Sequence, residues 1–127
     1  MIGYVTIGSN DAARSVAFYD SVLAPLGYAR TFHEGDWAGY GPGGSKEGLQ
    51  IYVCKPENGK EACLGNGSML AFEAPSRAAV ESFHAAALAH GGKDEGAPGV
   101  RGESDPPMYM AYVRDPEGNT FAAYFKG

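Results

Sequence analysis

Apolar and polar positions alternate with a period of two over residues 2–8, and then recur at spacings of three and four at Val16, Tyr19, Val22 and Leu23. The first pattern turns successive side chains to opposite faces of a strand; the second lines one face of a helix. Between them Ser9, Asn10 and Asp11 offer side-chain oxygens as caps, and Pro25 with Gly27 ends the helix at about residue 23. Segments rich in aromatic and β-branched residues follow at 30–34, 37–40 and 49–55, separated by Glu34-Gly35-Asp36 and by the glycine-rich stretch 41–48. The first 55 residues therefore predict a β-α-β-β-β unit.

The same order then returns. A strand at 68–73 leads through Ala74-Pro75-Ser76 into a helix at 77–89, which Gly91-Gly92 closes. Strands near 93–95, 108–114 and 120–125 complete the copy, with Asp115-Pro116-Glu117-Gly118-Asn119 as a hairpin turn. Phe18 and Phe83 stand 65 positions apart, as do Gly27 and Gly92, and that offset carries Val5 onto Leu70 and Ile7 onto Phe72. The expectation is one α+β domain over 1–127, with modules at about 2–55 and 68–125 and a connector at about 56–67. Its sheets should form an open, curved surface around a cleft; a ferredoxin-like layout is the competing arrangement.

Composition narrows the function classes. With 44% hydrophobic and 20% charged residues the chain is globular, and its 19 glycines gather where tight connections are expected. The net charge of −5 is spread along the chain with no basic stripe, which argues against nucleic acid as a partner. No apolar run approaches the roughly 20 residues of a membrane span, and residues 1–11 lack a basic-then-apolar leader pattern, so a cytoplasmic location is expected. Cys54 and Cys63 have neither the spacing nor the company of a zinc site and are expected to be packing or incidental residues, with a reactive thiol as the alternative. His84 and His90, six residues apart, diverge by about 240° on a helix, and His33 lies near a turn with Glu34 and Asp36. All three are expected at the solvated surface.

Four strings carry a resemblance: D-x-x-R-S-x-x-F-Y (Asp11, Arg14, Ser15, Phe18, Tyr19), V-L-A-P-L-G-Y (22–28), the helix F-H-A-A-A-L-A-x-G-G (83–92) and Y-V-R-D-P-E-G-N (112–119). Together and in this order they resemble the glyoxalase / bleomycin-resistance / dioxygenase (vicinal oxygen chelate) superfamily, almost end to end. The resemblance implies the duplicated fold, homodimers as a common assembly, and, in metal-dependent members, ligands from the first and last strands of each module. Those positions fall here on Tyr4, on or next to Gln50, on Met69 and on Ala122. Tyr4 and Met69 again differ by the repeat offset of 65. A catalytic divalent ion needs about three imidazole, carboxylate or thiolate ligands, which this set lacks. No metal and no other cofactor is therefore expected.

Strand alternation then lines the cleft with Tyr4 and Thr6, Met69 and Ala71, Ala122 and Tyr124, and, opposite them, Gln50 and Tyr52. Trp37, Tyr40, Tyr109 and Tyr112 extend it, and Arg101 is the cation placed for an acidic group on a ligand. Nothing resembles a nucleophile elbow or a nucleotide-binding glycine loop. The leading expectation is metal-free binding of a small amphipathic or aromatic molecule. The alternatives are a lyase, isomerase or dioxygenase of the family, metal-free with Tyr4 or Tyr52 as acid/base or with metal ligands placed elsewhere, and a non-catalytic scaffold.

Overall fold

The structure is a computed structural model that describes residues 1–63 and 65–127; Leu64 of the expected connector lies outside the described residues. Module one runs β1 (Tyr4–Gly8), α1 (Ala12–Leu23), a 3-10 turn (Ala24–Leu26), β2 (Tyr28–Glu34), β3 (Trp37–Pro42) and β4 (Gln50–Cys54). Module two runs β5 (Met69–Glu73), α2 (Arg77–Ala89), β6 (Lys93–Arg101), β7 (Met108–Arg114) and β8 (Thr120–Lys126). Each module forms its own four-stranded sheet, ordered β1-β4-β3-β2 and β5-β8-β7-β6, with the first and last strands of each module parallel neighbours.

Local chemistry fixes the helix ends. The Asp11 carboxylate accepts from the Arg14 amide and the Ser76 hydroxyl from the Ala79 amide, each satisfying an N-terminal donor. Beyond α1, Gly27 takes φ +85°, a conformation a side chain would resist.

The helices and the inner face of both sheets share one core. Val5, Ile7, Ile51, Val53 and Tyr40 from the first sheet, and Leu70, Phe72, Phe121, Ala111 and Val113 from the second, enclose Phe18, Tyr19, Val22, Val80 and Phe83. Tyr28 meets Phe72 and Tyr19 meets Phe121 edge to face across the modules, with ring centroids 6.2 and 5.7 Å apart. The residues alternating with these on the strands project from the other face of each sheet, here called its open face.

A polar clasp joins the modules. Buried Asp115 accepts from the Tyr19 hydroxyl at 2.5 Å and from the Glu117 and Asn119 amides, which makes it the organiser of the β7–β8 turn. Glu117 pairs with Arg14 and accepts from Asn10, whose side-chain oxygen binds the Ala62 amide of the connector. The acidic turn is thus a structural element, as its Asp-Pro-Glu-Gly-Asn sequence predicts.

Candidate functional site

Register determines which side chains share a surface. In the first sheet Tyr4 is level with Gln50, Thr6 with Tyr52, Gly39 with Tyr52, and Phe32 with Gly39, so these positions lie on one face. Gly39 lacks the side chain that would collide there: a Cβ would stand 2.3 Å from the Phe32 ring. Phe32 therefore lies across β3 towards Tyr52. The Tyr4, Phe32 and Trp37 rings surround Tyr52 at centroid distances of 5.4, 6.1 and 6.1 Å. Tyr4 is 63% and Trp37 46% exposed, so the cluster is a surface and not a core. Among the described residues neither the Tyr4 nor the Tyr52 hydroxyl has a hydrogen-bonding base beside it.

Three expected lining residues do not join this ring surface. Gln50 is buried, and its amide donates to the Ser45, Glu47 and Gly48 carbonyls, so it holds the β3–β4 loop. Tyr40 faces the helices and donates to Asp20 at 2.9 Å; burial and that carboxylate push its phenol far above the ordinary tyrosine value. Tyr109 alternates onto the helix side of the second sheet, where its hydroxyl donates to Glu81 and Arg77 stacks on its ring. Tyr52 and Gln50 also neighbour Tyr4 and Thr6 within one sheet; they do not stand opposite them.

The second sheet's open face has different chemistry. Met69, Ala71 and Glu73 on β5 are level with Thr120, Ala122 and Tyr124 on β8, which are in turn level with Arg114, Tyr112 and Met110 on β7. Ala122 is wholly buried between its neighbours. Tyr112 donates to the Met110 sulfur, and the Arg101 guanidinium lies 5.7 Å from the Tyr112 ring centre. A groove of about 400 Å³ separates β1 from β5 and β8; Thr6, Met69, Thr120, Asn119, Ser68 and Cys63 are on its walls. Met69 is on these walls; Tyr4, Tyr52 and Ala122 lie on the neighbouring sheet faces. Cys54 is buried, which pushes its thiol up and keeps it a packing residue. His84 is not a free surface group: its ring nitrogen meets Asp94 at 2.9 Å.

Strand register gives each residue of β8 a positional counterpart on β4. Ala122 is level with Ala71, two residues beyond Met69; the matching position two beyond Tyr4 is level with Thr6 and is Tyr52. With Tyr52 in place of Gln50, the positions that the resemblance implies are Tyr4, Tyr52, Met69 and Ala122, which offer two phenols, one thioether and a methyl. This donor set does not fit a catalytic divalent ion. Among the described residues no three His, Cys, Asp or Glu side chains gather as an alternative cage.

Sequence reasoning missed Phe32, although its signal was present: the Glu34-Gly35-Asp36 turn sets it against Gly39, and a ring over a strand glycine is a recurrent pairing. Among the described residues no helix is long and apolar enough to cross a membrane.

Comparison with known proteins agrees with this architecture. The model of the Glyoxalase/Bleomycin resistance protein/Dioxygenase superfamily matches residues 1–123. A glyoxalase/bleomycin resistance protein from Albidiferax ferrireducens T118 superposes with a TM-score of 0.87 at 36% identity, covering 98% of each chain. A glyoxalase-related enzyme from Fulvimarina pelagi gives 0.75 at 20% identity, over 98% of this chain and 87% of its own. A glyoxalase/bleomycin resistance protein/dioxygenase family enzyme from Burkholderia phytofirmans PsJN gives 0.72 at 21% identity, over 98% of both. No curated protein matches. With two β-α-β-β-β modules, the matched family model and a 36% identical relative of the same length, the chain belongs to the Glyoxalase/Bleomycin resistance protein/Dioxygenase superfamily.

Proposed function

We propose that the protein binds a small amphipathic or aromatic molecule against the open face of the first sheet, without a resident divalent ion. The observation that carries this reading is the ring cluster of Tyr4, Phe32 and Trp37 around Tyr52, partly exposed and built where metal-dependent relatives would place ligands. Such rings give a flat ligand apolar faces to stack on and polar edges to orient it. Exposed apolar surface of this kind marks an interaction site.

Trp37 is the single tryptophan, so its emission reports on this face directly. In a screen of aromatic and amphipathic compounds with chelator present, a ligand is expected to raise the unfolding midpoint and shift Trp37 emission together. Stabilisation at a ligand concentration 100 times Kd should reach about 2.7 kcal/mol. Stoichiometric bound metal with metal-dependent turnover, or stabilisation without any Trp37 response, would overturn the proposal.

A further inference from the structure

The second sheet carries a cation in an arrangement that the ring cluster does not explain. Its edge strand β6 is bulged between Asp94 and Gly96 and again between Gly96 and Gly99, so that Gly96, Gly99 and Arg101 stand level with Tyr112, Met110 and Met108. The Arg101 side chain folds back along the strand over both glycines. A Cβ at Gly99 would stand 2.9 Å from one guanidinium nitrogen, and a Cβ at Gly96 3.2 Å from the other. The guanidinium donates to the Ala97 carbonyl at 2.6 Å and lies towards the Tyr112 ring. Three constraints therefore hold this group: a cleared lane, a backbone anchor and an aromatic face.

A guanidinium has five N–H donors, and one is used by Ala97. Among the described residues the ion pairs engage Arg14, Arg30, His84 and Arg114, and no carboxylate lies within 4 Å of Arg101. A positioned, unneutralised fork next to the half-buried thioethers of Met108 and Met110 matches an anion with an apolar body. We propose that Arg101 is the anion-binding residue of a second subsite, on the open face of the second sheet, which takes organic carboxylates whose apolar part lies on Met108 and Met110. Arg114 does not compete for the anion, because Glu95 already neutralises it. This proposal is independent of ligand binding to the ring cluster on the first sheet.

The test compares 1-naphthoate with its neutral, equally shaped amide by calorimetric titration of the full-length chain. Methyl-labelled methionine NMR locates the contact among the four methionines. Naphthoate is expected to bind at least about tenfold tighter than naphthamide at low salt, and to lose that advantage as ionic strength rises. Naphthoate should shift the Met108 and Met110 methyls and leave Met1 unmoved. Arg101→Gln should bring the two affinities together, and Arg101→Lys should keep part of the preference, without the planar fork. Arg101→Gln gives up the Ala97 hydrogen bond and the Tyr112 contact, so a modestly lower unfolding temperature is expected, and an unchanged circular dichroism spectrum at the titration temperature separates lost binding from lost folding. Equal affinities in the wild type, an undiminished preference in Arg101→Gln, shifts confined to Met69, or no binding of either probe would each overturn the proposal. Trp37 emission would still judge the ring cluster separately.

Discussion

Replacing Tyr19 with phenylalanine removes one oxygen from the interior and nothing else, and that oxygen carries the bond joining α1 of module one to the β7–β8 turn of module two. The Tyr19 hydroxyl donates to a carboxylate oxygen of Asp115, and both residues are buried. A hydrogen bond to a charged group contributes about 1.5–3 kcal/mol. Asp115 keeps three other donors, the Glu117 and Asn119 amides and the Asn119 side chain, so its charge is not left unsatisfied. The expected loss is therefore in that range, about 2 kcal/mol, and does not extend to the larger cost of orphaning a buried charge. For a domain of this size it lowers the unfolding midpoint by about 6–10 °C. Asp115→Ala is the contrast: it orphans the Tyr19 hydroxyl and two turn amides at once, and should cost about 3–5 kcal/mol. Urea unfolding followed by circular dichroism, with unchanged m-values, gives both numbers, and the double mutant gives their coupling. A Tyr19→Phe loss below about 0.5 kcal/mol, or strict additivity in the double mutant, would refute the clasp as a source of stability.

Further predictions follow from named contacts. Tyr19 and Tyr40 have phenols pushed up by burial, helped by Asp115 and Asp20, so the folded state holds their protons more tightly than the unfolded chain. Their stabilisation is complete below about pH 10, where unfolded tyrosine titrates, and should fall above it by about 1.4 kcal/mol per pH unit per tyrosine; Tyr40→Phe should flatten that slope in urea midpoints. Gly39→Ala places a methyl 2.3 Å from the Phe32 ring, and should cost about 1–3 kcal/mol while shifting Trp37 emission as the cluster rearranges. Gly99→Ala narrows the lane of Arg101 and should weaken naphthoate about three- to tenfold without lowering the unfolding temperature, which calorimetry and thermal scans read together. Tyr4→Phe should retain ligand affinity within about twofold, and a loss of turnover on any substrate with binding intact would restore the acid/base reading.

The duplicated layout was legible because alternation and helical spacing report burial directly: Val5, Ile7, Leu70 and Phe72, paired by the 65-residue offset, all face the core. The strand expected at 93–95 extends to Arg101, because Gly96, Pro98 and Gly99 erase the strand signal while an edge strand tolerates them. The Tyr109 ring suggests a place in the cleft, yet alternation opposes it: Met108, Met110 and Tyr112 share one face, and Tyr109 takes the other. Trp37 and Tyr40, three apart on one strand, likewise cannot share a face. Gln50 was out of reach for a different reason. Its partners are loop carbonyls at 45, 47 and 48, and no local pattern states how that loop turns. The choice between Gln50 and Tyr52 as counterpart of Ala122 needed the β1–β4 register, which side-chain types do not encode.

The most direct test of the central claim is a single titration: Trp37 emission against an aromatic ligand from the screen, in wild type and Tyr52→Ala, with chelator present throughout. The ring cluster predicts saturable binding in the wild type, unchanged by chelator, and at least about tenfold weaker binding once the central ring is removed. Equal affinity in the two proteins, or binding that disappears with chelator and returns with a divalent ion, would contradict it.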